Sequence, residues 1–169
     1  MNSHLSKPIS IVKLATTIAQ YWDGSASRST NQMFDKSNDS ESIYLQALKN
    51  NDEFNIENTI FYYVDENAHQ RMINAFISEY KTKSEQCDEL LAQWSTDKKL
   101  SFCHSLKGSA GNIGATKLQQ LASSTEAHLK EEPSADMMPL FNMLQTIIDF
   151  LHELQVMLDD KNHQSTRHT

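Results

Sequence analysis

His104-Ser105-Leu106-Lys107-Gly108-Ser109-Ala110-Gly111-Asn112-Ile113-Gly114 gathers one imidazole, one cation and three glycines in eleven residues. Its pattern is helical, although each interior glycine costs a helix about 1 kcal/mol against alanine. On a helix turning about 100° per residue, Lys107 falls about 60° to one side of His104, Gly108 about 40° to the other and Gly111 within about 20°. His104, Gly108 and Gly111 then form one stripe with Lys107 along its edge. Phe102, Leu106, Ser109 and Ile113 recur on another face, the expected core side.

Neighbours without bulk clear the approach to the imidazole for a ligand or for another protein's backbone. An unperturbed imidazole titrates at about pH 6.5, so near neutral pH a ring nitrogen has its lone pair available. The Lys107 ammonium disfavours the imidazolium form and can face the oxygens of an attached phosphoryl group.

Outward from this stretch the pattern stays helical. Gly114 ends the His104 helix as a left-handed cap, and Asp97 opens it after the break at Ser95-Thr96. Upstream, Met72, Ile73, Phe76, Ile77, Tyr80, Cys87, Leu90, Leu91 and Trp94 predict one helix from about Glu66 to Trp94, with Asp65 as N-cap. A short helix is expected at about Ile56–Tyr63, and a weaker one over Ile43–Leu48, ended by Asn50-Asn51-Asp52. Downstream, Leu118, Leu121, Ala122, Thr125 and Leu129 give a helix over about Ala115–Lys130. Leu140, Met143, Leu144, Ile147, Ile148, Leu151, Leu154 and Leu158 give another over about Asp136–Leu158, with Pro139 tolerated only in its first turn. Four long amphipathic helices with short connections predict an all-α antiparallel four-helix bundle with a short extra N-terminal helix.

Composition narrows the function. The 169 residues carry a net charge of −7 and no basic run, which argues against a nucleic-acid partner. No apolar stretch reaches the roughly 20 residues that span a bilayer, so no membrane contact is expected of this segment. Cys87 and Cys103 form no CxxC pair and read as buried, reduced thiols of a cytoplasmic protein. Residues 23–53 are rich in Ser, Asn and Asp and read as a polar linker; 54–160 hold the bundle; 161–169 read as a frayed tail.

The run from His104 to Gly114, continued by Leu118, Leu121, Ala122 and Glu126, resembles the histidine phosphotransfer (HPt) domain of multistep phosphorelays. The likeness extends over about residues 54–158, and its one departure is Thr125 before Glu126. It implies that His104 accepts a phosphoryl group on Nε2 from an aspartyl phosphate of a receiver domain and passes it to a response regulator. Lys107 would assist electrostatically, Gly108 would give access, and Gly108, Gly111 and Ser105 would face the partner. No cofactor is implied on this chain; Mg²⁺ belongs to the receiver. An apolar patch near His104 is expected to dock a receiver helix.

Ser6-Lys7-Pro8-Ile9, with Ile11, Leu14, Ala15, Ile18 and Trp22 at helical spacing, is similar to the end of a receiver domain. Residues 1–22 would then be that domain's last strand end and helix, as in the C-terminal part of a hybrid sensor histidine kinase anchored in the inner membrane. No Gly-rich nucleotide loop occurs, so autokinase activity is not expected of this chain. No HxxxH or HExxH occurs, and no metal site is expected. Two rivals stay open at this level: a helical-bundle protein-interaction domain without phosphotransfer chemistry, and a metal- or haem-binding bundle.

Overall fold

A computed structural model describes residues 42–56 and 66–165. Every regular element among them is a helix: α1 (Ile43–Lys49), α2 (Glu66–Glu85), α3 (Cys87–Gln93), α4 (Thr96–Ile113), α5 (Thr116–Glu131) and α6 (Met138–Ser165). The receiver-like reading of 1–22, most of the linker, nearly all of the helix expected at 56–63 and the Asp65 cap lie outside the described residues.

Side-chain pairs fix the directions of the long helices. Lys107 with Glu126, and Gly111 against Gln119, run α4 antiparallel to α5. Asn74 with Gln155, and Ser84 with Gln145, run α2 antiparallel to α6. Tyr80 with Ser109, and His69 with the Ile113 carbonyl, run α2 antiparallel to α4. Because α5 also packs on α6, the four helices close a ring. Leu106, Leu118, Leu129, Leu140, Leu144 and Leu151 fill its centre, and Phe102 stacks on Phe141 with centroids 5.1 Å apart. Each such leucine stabilises the fold by roughly 1.5–3 kcal/mol.

The linker reading changes at its C-terminal end. A seven-residue helix does not persist alone in water, yet α1 is anchored by the buried side chains of Tyr44 and Leu48. Ser42 caps it, its Oγ accepting the Leu45 N–H at 3.2 Å and donating to Glu66 Oε2 at 2.7 Å. Phe54 and Ile56 are buried in non-helical backbone, and the Asn55 N–H reaches the Gly114 carbonyl at 2.8 Å.

Three boundaries also differ from expectation. The helix expected from Glu66 to Trp94 breaks at Gln86 (φ −105°, ψ 21°), and α3 carries no fully buried residue. Cys87, Leu91 and Trp94 instead half-cover the core, with Trp94 beside Phe102 at 5.1 Å. Unbroken apolar spacing hides that bend. Ser95 rather than Asp97 caps α4, accepting the Lys98 N–H at 3.3 Å. At the other end α6 continues to Ser165, past the predicted stop at Leu158, because no glycine or proline follows to end it. Residues 161–165 of the expected frayed tail are therefore helical. The thiols differ as well: Cys103 is buried, but Cys87 is only half-buried.

Candidate functional site

Helix α4 buries Phe102, Cys103, Leu106, Ala110 and Ile113. That turns Ser101, His104, Ser105, Gly108 and Asn112 outward. The His104 side chain is 73 % exposed. Ser109, assigned from its spacing to the core face, is half-buried and meets the Tyr80 hydroxyl at 3.1 Å.

The C-terminus of α4 sets where the opposing helix begins. Gly114 sits at φ 86°, where a side chain would be strained. Its N–H bonds the Gly111 carbonyl at 3.2 Å, and the Ala115 N–H bonds the Ala110 carbonyl at 2.9 Å. This Schellman pair closes the helix and reverses the chain within two residues. Helix α5 then returns alongside α4, bringing Glu126 level with His104 and Lys107.

Glu126 is the residue that sequence reading left without a role. Its side chain is 12 % exposed, and two lysine donors and the His104 ring gather on it. Lys107 Nζ donates to Oε2 at 2.9 Å, Lys130 Nζ donates to Oε1 at 3.3 Å, and His104 Nδ1 lies 3.5 Å from Oε1. The hydrogen bond from Lys107, chiefly, holds the Glu126 carboxyl below the usual range, with Lys130 adding to the effect against burial. The Lys107 ammonium, 33 % exposed, is thus already paired and does not act on the imidazole as an isolated charge. Thr125, the departure from the HPt pattern, is buried and donates to the Leu121 carbonyl at 2.8 Å, so its hydroxyl is satisfied locally.

The glycines have different surroundings. A Cβ at Gly108 would meet nothing within 4 Å. One at Gly111 would lie 2.5 Å from Gln119 Nε2, so Gly111 fits beneath an α5 side chain instead of clearing the space above His104. Among the described residues the exposed large hydrophobics are Ile43, Val156 and Met157, on α1 and α6, while Leu100, one turn before His104, and Leu121 on α5 are half-buried.

Behind the site, Cys103 is fully buried, and its thiol is pushed up to about 11 by burial and then by the Glu126 charge. Among the described residues no group of three His, Cys, Asp or Glu side chains is placed to hold a metal ion, and no helix is long and apolar enough to cross a membrane.

The family model of the Hpt domain matches residues 71–160, which include His104, Lys107, Gly108 and Glu126. No curated protein and no solved structure matches the chain. Membership carries a general role in two-component phosphotransfer signalling, with receiver-type partners. An exposed histidine on a glycine-bearing helix, set in an all-helical bundle that this match covers, identifies the chain as a member of the Hpt domain family.

Proposed function

We propose that His104 is the phosphoacceptor of a phosphorelay, taking a phosphoryl group from an aspartyl phosphate on a receiver domain and delivering it to a response regulator. The observation that carries this reading is the placement of Glu126 on the Nδ1 side of an imidazole that is otherwise open to solvent. A proton on Nδ1 has an acceptor there, which leaves the lone pair on Nε2.

In the transfer, Nε2 attacks phosphorus and the acyl-phosphate O–P bond breaks, its electron pair leaving on the aspartate. The ring becomes a phosphoimidazolium carrying the Nδ1 proton, so charge balances without any proton leaving Nε2. Glu126 faces the charge that develops on the ring. Lys107, at the edge of the stripe, can turn toward the phosphoryl oxygens, a charge-assisted contact. Gly108 and Ser105 leave room for the partner's backbone. Magnesium would belong to the receiver, and nucleotide is needed only by a kinase upstream. The Lys7-Pro8 segment and its amphipathic run support placing the module behind a receiver domain of a hybrid sensor kinase.

The test is incubation with a phosphorylated receiver domain. Acid-labile, base-stable label should appear on the wild type and be absent from His104→Gln, while circular dichroism of the two proteins coincides. Equal labelling of His104→Gln overturns the assignment. A wild type that takes no label from any receiver leaves the interaction-domain reading in its place.

A further inference from the structure

The two oxygens of Glu126 face two lysine ammoniums and the Nδ1 edge of His104. Lys107 holds Oε2. Lys130 and His104 share Oε1, at 3.3 Å and 3.5 Å. Lys130 follows Glu126 by one helical turn, with the acid N-terminal to the base, the favourable order for a helical pair. It is 62 % exposed and fills no part of the core.

We propose that Lys130 is a positioning residue that moderates the hold of Glu126 on the Nδ1 proton of His104. This deepens the phosphoacceptor reading and rests on it. The charged groups gathered here are Lys107 on α4 and Glu126 and Lys130 on α5. While Lys130 occupies Oε1, less of that oxygen's acceptor strength is available to Nδ1. Without Lys130 the Nδ1–H···Oε1 contact tightens, and the tautomer with a bare Nε2 gains population. After phosphorylation the same contact stabilises the protonated ring. That form is the better leaving group: as an aspartate or water oxygen forms its bond to phosphorus, the N–P bond breaks, its electron pair returns to Nε2, neutral imidazole with Nδ1–H is released, and a water nucleophile gives its proton to solvent. Lys130 therefore slows phosphoryl departure and lengthens the life of the phosphohistidine.

Long-range nitrogen–proton NMR of the unphosphorylated full chain, at a pH where the ring is neutral, tests this without any receiver. In Lys130→Ala the ratio of Nδ1–H to Nε2–H tautomer at His104 should rise roughly two- to five-fold, the effect expected of one exposed ion-pair contact. Lys130→Arg should restore the wild-type ratio. An unchanged or lower ratio in Lys130→Ala overturns the proposal, because it means that Lys130 either has no influence or only steadies Glu126. Labelling with phosphoramidate gives the second readout: the Lys130→Ala phosphohistidine should hydrolyse faster near pH 7 and the Lys130→Arg form at the wild-type rate. Equal hydrolysis rates in Lys130→Ala and wild type also overturn it. Failure of phosphoramidate to label position 104 would count against the phosphoacceptor reading, while the tautomer ratio would still decide the role of Lys130.

Discussion

Lys107 Nζ donates to Glu126 Oε2 at 2.9 Å across the α4–α5 interface, and the acid on which it rests also reaches toward His104. The cation of the histidine stripe and the ring thus share one carboxylate. That carboxylate is largely shielded from water, so the lysine pair is less screened than an open surface bridge.

Replacing Lys107 with alanine should slow transfer from a phosphorylated receiver roughly ten-fold, the low end of what a hydrogen bond to a charged group contributes. Single-turnover kinetics at saturating receiver would show it. The same substitution removes the largest influence lowering the Glu126 carboxyl. In the wild type, the stability from this carboxylate is present above its unfolded pKa and is lost as pH falls through the lowered folded value. Lys107→Ala should therefore lose less stability on acidification than the wild type in paired urea titrations. Equal acid sensitivity would mean that the 2.9 Å contact adds nothing.

Gly108 and Gly111 should respond differently to the same change. With open space at Gly108, Gly108→Ala should stabilise α4 by up to about 1 kcal/mol and raise the melting temperature. Gly111→Ala must first displace the Gln119 amide and should gain less. Gly108→Trp should keep the melting profile of a folded bundle and lose transfer. Calorimetry with the transfer assay separates these outcomes, and normal transfer in Gly108→Trp would remove the access argument.

The thiols should divide on labelling. Cys103 is buried with its thiol raised to about 11, and Cys87 is half-exposed at the head of α3. An aromatic disulfide reagent should titrate one thiol quickly in the native protein and both in denaturant. Cys87→Ser should abolish the fast phase.

The bundle was legible because its four long helices carry apolar residues every third or fourth position and lose that pattern at Ser95, Gly114 and Pro133. His104, Lys107 and Gly108 could be read as one stripe because a single helix holds them within five residues. Glu126 stood in the motif, but its place beside His104 and Lys107 depends on how the left-handed turn at Gly114 lays α5 against α4, which helical spacing does not encode. Gly111 was misplaced for the same reason: a single-helix wheel shows which way a residue points and not which side chain lies over it. His69 gave no signal at all, because its partners come from two other helices.

His69 is fully buried between α1, α2 and the end of α4. Its Nε2–H donates to the Ile113 carbonyl at 3.0 Å, one of the acceptors a helix C-terminus leaves open. Nδ1 then accepts the Tyr44 hydroxyl at 2.6 Å, so both contacts require the neutral ring. Burial lowers its pKa, with the Ile113 bond opposing in part. Below about pH 6.5 the unfolded chain takes up a proton at this histidine that the folded chain refuses. Stability is thus fully present above that pH and falls by up to about 1.4 kcal/mol per unit beneath it, until the lowered folded value is reached. His69→Gln should be less stable than wild type at pH 7.5 and should lose this part of the slope between pH 6.5 and 5.5. Urea titrations of both proteins across that range provide the comparison, and parallel slopes would show that His69 is not the group that titrates.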